Sequence, residues 1–291
     1  MKRLLLALAL LLALVAVLWF GFSRMSERLG QERMEAMATQ LAPHARLTWE
    51  RLSVDLLGRS LILDGVRLAC LDFPDLVLTA ATVVLRKSEE NRWQAEIIGL
   101  APGGASAARM AEVLGLSSGE ISGNLSVDVT WRPETSGLKV HDLHLLAPGL
   151  FSLRLSGSAA NIPSPSGSAQ TLAVQSVFVQ IGGLSAVFSD ETLVQRLVNV
   201  EAERLGVAPE AWRRALGDIL EADLRSWAGK APTAEGKSLL AATAQAVRTF
   251  LNESGSLALE LAPRQPMPVV EILLFPPLEA ARRLNFRLEA R

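Results

Sequence analysis

The chain has 291 residues, 49% of them hydrophobic, and carries 29 lysines and arginines against 30 aspartates and glutamates, a formal net charge of −1. That composition excludes a disordered chain and lacks the basic field of a nucleic-acid binder. Cys70 is the only cysteine, which excludes an internal disulfide and a multi-cysteine metal site, and with no tyrosine and 3 histidines the acid–base stock of an enzyme is thin.

The first element is an uncharged run of 19 residues, Leu4 to Phe22. As a helix it spans roughly 28 Å, close to the hydrocarbon thickness of a bilayer. Lys2 and Arg3 precede it, and Trp19 sits near its far end, where interfacial aromatics prefer to be. The run is longer than the apolar core of a cleaved signal, and Ser23-Arg24-Met25 follows it in place of a small-x-small site, so an uncleaved anchor is the reading. The short basic flank places the N-terminus in the cytoplasm and the bulk in the periplasm, against a rival pull from Arg24, Arg28 and Arg33. Residues 1–22 are then a single-pass inner-membrane anchor.

Residues 23–43 read as a helical stalk. Met25, Leu29, Met34, Met37 and Leu41 recur at helical spacing, and Pro43 closes the segment. Residues 44–188 read as strands. Leu47, Trp49, Arg51 and Ser53 alternate with Thr48, Glu50, Leu52 and Val54; Leu76 to Leu85 is apolar on both faces; Phe151, Leu153 and Leu155 alternate cleanly. Phe73-Pro74-Asp75, Pro102-Gly103-Gly104, Pro133-Glu134 and Pro148-Gly149 mark turns.

An internal repeat runs through this region. Ser53-Val54-Asp55-Leu56 and Ser126-Val127-Asp128-Val129 open the two copies. Leu61, Leu63, Val66 and Leu68 in the first correspond to Leu138, Val140, Leu143 and Leu145 in the second. In each copy the alternation slips by one residue, at Gly65 and at Asp142, which predicts a β-bulge at both. An Asp64-Gly65 hairpin turn is the rival, and it leaves very short strands. Asn161 to Gln170 reads as a loop; Thr171 to Ile181 reads as a strand that Gly182-Gly183 breaks.

Residues 189–254 form a helical block: a first helix from Ser189-Asp190-Glu191 to Gly206, a second from Pro209 closed by Gly229, and a third carrying Leu239 to Leu251. Residues 255–291 return to strands at Leu257–Leu261, Val269–Leu274 and Leu284–Leu288, with a turn of helix at Leu278–Arg283. The fold class is therefore α+β: an N-terminal transmembrane helix, then a curved, mostly antiparallel sheet of repeated hairpins with a three-helix insertion packed against it.

The stretch Thr48 to Leu68, TWERLSVDLLGRSLILDGVRL, resembles the AsmA-like family of bacterial envelope proteins, on Leu57-Gly58-Arg59, Leu61, Leu63, Gly65 and Val66. Gly119-Glu120-Ile121-Ser122-Gly123-Asn124-Leu125 resembles the family's recurrent phrase, as does Leu155-Ser156-Gly157-Ser158 more faintly. The resemblance implies an inner-membrane helix followed by a taco-shaped periplasmic sheet with an apolar inner groove. Larger members are implicated in moving phospholipid between envelope membranes or in outer-membrane biogenesis. No catalytic residue carries over.

Little chemistry competes with that expectation. Gly236-Lys237-Ser238 ends a near-match to a phosphate-binding loop, but Ala231 stands where the first glycine belongs. His141 and His144 lack a third ligand beyond Asp142, Cys70 belongs to an apolar strand, and no Gly-x-Ser-x-Gly elbow is present. No catalytic, metal or cofactor site is assigned. The candidate site is a lipid groove lined by Leu61, Leu63, Val66, Leu68, Leu138, Val140, Leu143, Leu145, Phe151, Leu153 and Leu155. That face is either covered by the helices as an ordinary core or partly open to acyl chains. The expected partner is membrane lipid; the alternative is a tethered scaffold whose residues 189–254, with Trp212 and Trp227, dock an envelope protein.

Overall fold

Alternating apolar residues make strands, and strands joined by short turns pair antiparallel. The computed structural model describes residues 30–42, 45–55, 60–71, 75, 77–89, 91–117, 119–162, 176, 178–230, 233–253 and 255–291. The expected anchor at Leu4–Phe22, the start of the expected stalk and Leu57-Gly58-Arg59 lie outside them. Among the described residues no helix is long and apolar enough to cross a membrane. The chain is α+β and divides into two compact units, Met1–Asp128 and Val129–Arg291.

In the first unit a helix, α1 (Gly30–Leu41), packs on β1 (Ala45–Thr48). Then come β2 (Arg51–Asp55), β3 (Ser60–Cys70), β4 (Val77–Glu89), β5 (Arg92–Gly103), a second helix α2 (Gly104–Leu114) and β6 (Gly123–Arg132), the strand in which the division falls. The strand order is β1, β3, β4, β5, β6, with β2 also on β3. The core is one sheet face: Leu61, Leu63, Val83, Ile97 and Leu125 are almost wholly enclosed. Ala107, Ala111 and Leu114 of α2 are buried too. This helix was expected to be part of the strand region. Its alanines, at three-to-four spacing between Gly104 and a left-handed Gly115, carry a local helix signal.

The expected bulge at Gly65 takes another form. The register of β3 on β4 is unbroken there, Asp64 opposite Thr82 and Val66 opposite Ala80. Gly65 instead adopts a left-handed φ of 61°, and Gly99 on β5 does the same at 65°. Ala81 stands between them, since Thr82 faces Ile98 and Thr79 faces Ala101. Burial slips in step: Leu61 and Leu63 give way to Val66 and Leu68 on β3, and Ala80 to Val83 on β4. Because neighbouring strands slip at the same level, no register is lost. The alternation expected to run unbroken from Leu47 to Val54 stops at the same line, at Trp49–Glu50, where the Glu50 amide donates to the Asp64 carbonyl at 2.9 Å.

In the second unit β7 (Gly137–Ala147), β8 (Phe151–Ala160), β9 (Gln180–Asp190), β10 (Ser256–Leu261) and β12 (Arg287–Ala290) pair in that order, and the short β11 (Met267–Pro268) pairs with β9. Here the bulge is present: the register of β7 on β8 shifts between Val140 and Leu143. Between β9 and β10 lie α3 (Leu193–Leu205), α4 (Pro209–Lys230) and α5 (Ala234–Glu253); α4 packs on α5, and α5 on β10 and β12. The start of α3 is tied to the β7–β8 turn, since the amides of Glu191, Thr192 and Leu193 all point at the Leu150 carbonyl at 2.9, 3.1 and 3.2 Å.

Two further expectations are corrected. The strand placed at Thr171–Ile181 is one only at its end: among its described residues Ser176 is helical, Phe178 is in a turn, and β9 begins at Gln180 and runs through Gly182-Gly183. Gly182 admits a close neighbour rather than breaking the strand, for a Cβ there would meet Ser158 Oγ at 2.5 Å. Val269–Leu274, expected as a strand, is the helix α6, followed by α7 (Pro277–Arg283). Pro266 and Pro268 offer no amide to a ladder, so pairing ends at β11 and the chain turns helical.

Candidate functional site

The eleven predicted groove residues divide between the units. Leu61, Leu63, Val66 and Leu68 lie on β3 and are at most 5% exposed. They are enclosed core. The other seven lie on β7 and β8 and share one face. Across that pair Leu138 opposes Ala159, Val140 opposes Gly157, Leu143 opposes Leu155, Leu145 opposes Leu153 and Ala147 opposes Phe151. Directly opposed residues project from the same side of a sheet. The bulge absorbs the extra residue, so the apolar positions on both sides of Asp142 stay on that side.

The face continues beyond the predicted groove residues. Leu153 and Leu155 oppose Phe188 and Ala186 on β9, which oppose Leu257 and Leu259 on β10; Leu259 opposes Leu288 on β12. The alternation of Leu257, Leu259 and Leu261 is visible in the sequence, but only register joins it to Leu153. The other side carries Ser152, Arg154, Ser156 and Ser158 on β8 and Glu260 on β10, beside Leu146, Val187 and Ala258, so it is the more polar of the two.

This face differs from that of the first unit in exposure. Leu143 is 2% exposed, whereas Leu138, Val140, Leu145, Phe151, Leu153, Leu155, Leu184, Phe188, Leu257 and Leu259 are all half-buried. One helix meets it through an aromatic chain: Phe151 stacks on Phe188 at 5.6 Å between centroids, and Phe188 meets Phe250 of α5 edge-on at 5.8 Å. Incompletely covered, and apolar except at its end, where Asp190 opposes Phe151 and accepts from the Val194 amide at 2.9 Å, such a surface can hold alkyl chains.

The remaining motifs are structural in this setting. The Thr233 hydroxyl caps α5 by accepting from the Gly236 amide at 3.1 Å, so that amide is not free to cradle phosphate. His141 Nε2 bonds Thr130 Oγ1 at 2.8 Å, while His144 stands opposite Arg154 on the polar side. Among the described residues no group of three His, Cys, Asp or Glu could hold a metal. Cys70 is free and buried. On the helical block Trp212 is half-buried, but Trp227 is 61% and Ile219 52% exposed.

No curated protein matches the chain. One family model, described as an uncharacterized protein, matches residues 145–291, just over half of the chain and all within the second unit.

Proposed function

We propose that this chain, which belongs to the uncharacterized-protein family matched over its second unit, is a membrane-anchored periplasmic protein of AsmA type that binds or helps transfer lipid. The observation that carries the reading is the half-buried apolar face of β7, β8, β9 and β10. Each methylene taken from water there contributes about 0.8 kcal/mol, so shielding half of a sixteen-carbon chain is worth about 6 kcal/mol. That is enough to hold a lipid and little enough to release it. The mechanism is passive, and no acid, base or nucleophile takes part. The uncharged run Leu4–Phe22 supports a tether.

The test is mass spectrometry of lipid extracted from the purified full chain. Phospholipid is expected above the level on an unrelated single-span protein purified identically. The double variant Leu153→Glu, Leu155→Glu, which sets charges on the face, is expected to lose most of it. Equal lipid on the variant and the parent would refute the reading.

A second reading is favoured by one feature. Trp227 and Ile219 on α4, with Leu205 and Val207 beside its start, are large apolar side chains left 45–61% exposed. They suit a scaffold whose helical block docks an envelope protein. In that case Trp227→Ala with Ile219→Ser abolishes site-specific crosslinks from α4 in cells and leaves bound lipid unchanged.

A further inference from the structure

A second feature of the same unit is built around its last two helices. A cavity of about 850 Å³ opens beside α6 and α7, and its lining includes Arg264, Arg282, Arg283 and Arg287 with only Glu235 and Glu271 to oppose them. The arginines come from separate places: the loop after β10, the end of α7, and the first residue of β12. Among the described residues Arg264 and Arg287 form no ion pair, and Arg287 forms none with its cross-strand neighbour Glu260. Arg282 and Arg283 share one partner. Glu279 accepts from Arg282 Nε and Nη2 at 3.0 and 2.9 Å and from Arg283 Nε at 2.8 Å. That contact leaves donors on both guanidinium groups unused.

Apolar surface adjoins this cation cluster. Leu273 and Leu274, at the end of the helix that begins at the cavity wall, are 71% and 76% exposed, the most exposed large apolar residues described. Phe275 follows, and the Arg283 guanidinium lies 3.9 Å over its ring. A free anion has no use for two bare leucines. An amphiphile with an anionic head matches both halves, and a planar guanidinium suits a phosphate oxygen pair.

We propose that this cavity receives the phosphate of an anionic phospholipid headgroup, with Leu273 and Leu274 against the first methylenes of its chains. The proposal rests on the lipid reading above and narrows it to negatively charged phospholipid, recognised at a site apart from the β7–β10 face. The cavity volume falls in the range of open clefts that receive a molecule rather than a single ion.

The experiment uses the full chain in a non-ionic amphipol and calorimetric titration with four probes. They are dihexanoylphosphatidylglycerol below its micelle concentration, dihexanoylphosphatidylcholine, inorganic phosphate and a tetraglutamate peptide. Phosphatidylglycerol is expected to bind at least tenfold tighter than the other three. Arg264→Gln with Arg287→Gln should weaken it at least tenfold. Leu273→Ser with Leu274→Ser should weaken phosphatidylglycerol and leave inorganic phosphate unchanged. Glu279→Gln, which releases two guanidinium groups, should not weaken binding. Arg264, Leu273, Leu274 and Arg287 are exposed, so an unchanged melting temperature certifies the fold of their variants, and a single cooperative unfolding transition certifies that of Glu279→Gln. Unchanged phosphatidylglycerol affinity in the double arginine variant overturns the proposal. So does inorganic phosphate binding as tightly as the lipid, which makes this a plain anion site, or the peptide binding tightest, which makes it a protein-docking site. The two readings fail separately: Leu153→Glu with Leu155→Glu should leave this titration intact, and loss of it there would place the headgroup on the sheet face instead.

Discussion

Gly99 shows how one residue sets the shape of several strands. Its φ of 65° is left-handed, and a Cβ there would meet the Ala81 Cβ at 3.0 Å. An L-residue in that conformation costs about 1–2 kcal/mol before any contact is counted. Gly99→Ala should therefore lower unfolding stability by about 2 kcal/mol in urea titration. Gly217, inside α4 with nothing within 4 Å of a Cβ, is the control: its alanine variant should be about 0.5–1 kcal/mol more stable. If both variants behave alike, the slip line across β3, β4 and β5 does not depend on left-handed glycine. Glu279 gives a pH prediction at the same scale. Hydrogen bonds from Arg282, then Arg283, hold its carboxyl down at about 2 against an ordinary 4.5. A depressed carboxyl contributes its stability above the unfolded value and loses it as pH falls from 4.5 through about 2. A carbon-detected titration of the Glu279 carboxyl should show a midpoint near 2; one near 4.5 would mean that the arginines are not held on it.

At the scale of elements, α4 and α5 are joined by a buried acid. The Glu221 side chain is 10% exposed and sits between Arg225 of its own helix and Arg248 of α5, the latter at 2.7 Å. Both arginines keep contact with water, so Glu221→Gln leaves no buried unpaired cation and should cost about 1–2 kcal/mol. The same change should leave the lipid bound on β7–β10 untouched if the helices serve to brace the sheet. The strand pairs follow another rule. Arg92 on β5 grips Asp128 on β6 through two hydrogen bonds of 2.9 and 2.7 Å, and Gln94 adds a third at 3.2 Å. The Asp128 hydrogen bond and charge raise the Arg92 guanidinium further above its ordinary value. This half-buried cross-strand pair helps to fix register at the end of the unit.

For the whole molecule, the proposed topology predicts that protease added to spheroplasts degrades residues 30–291 and that intact cells protect them. Protection in spheroplasts would reverse the orientation of the anchor. Sheet faces in the two units also differ in a way that bears on function. Leu61 and Leu63 are sealed, whereas Leu153 and Leu155, on the corresponding kind of alternating strand, keep part of their surface in water. A lipid reading therefore places acyl chains on the second unit, which is also where the family match lies.

The sequence by itself determined what depends on near neighbours. Period-2 alternation placed β8 and β10, the slip at Asp142 marked a true bulge, Gly206 ended α3, and Pro209 opened α4, because pleat, bulge and cap each involve only a few consecutive residues. Where β-branched runs and prolines met, as at Val269–Leu274, local pattern misled, since a strand also needs a neighbour with free amides. Only the tertiary structure decided which alternating leucines are enclosed, that Gly65, Ala81 and Gly99 fall on one line, and that arginines from three elements meet at one cavity. Those properties belong to register and packing between distant segments. The energy that selects them comes from burial summed over a whole face, to which no single stretch of chain holds more than one side.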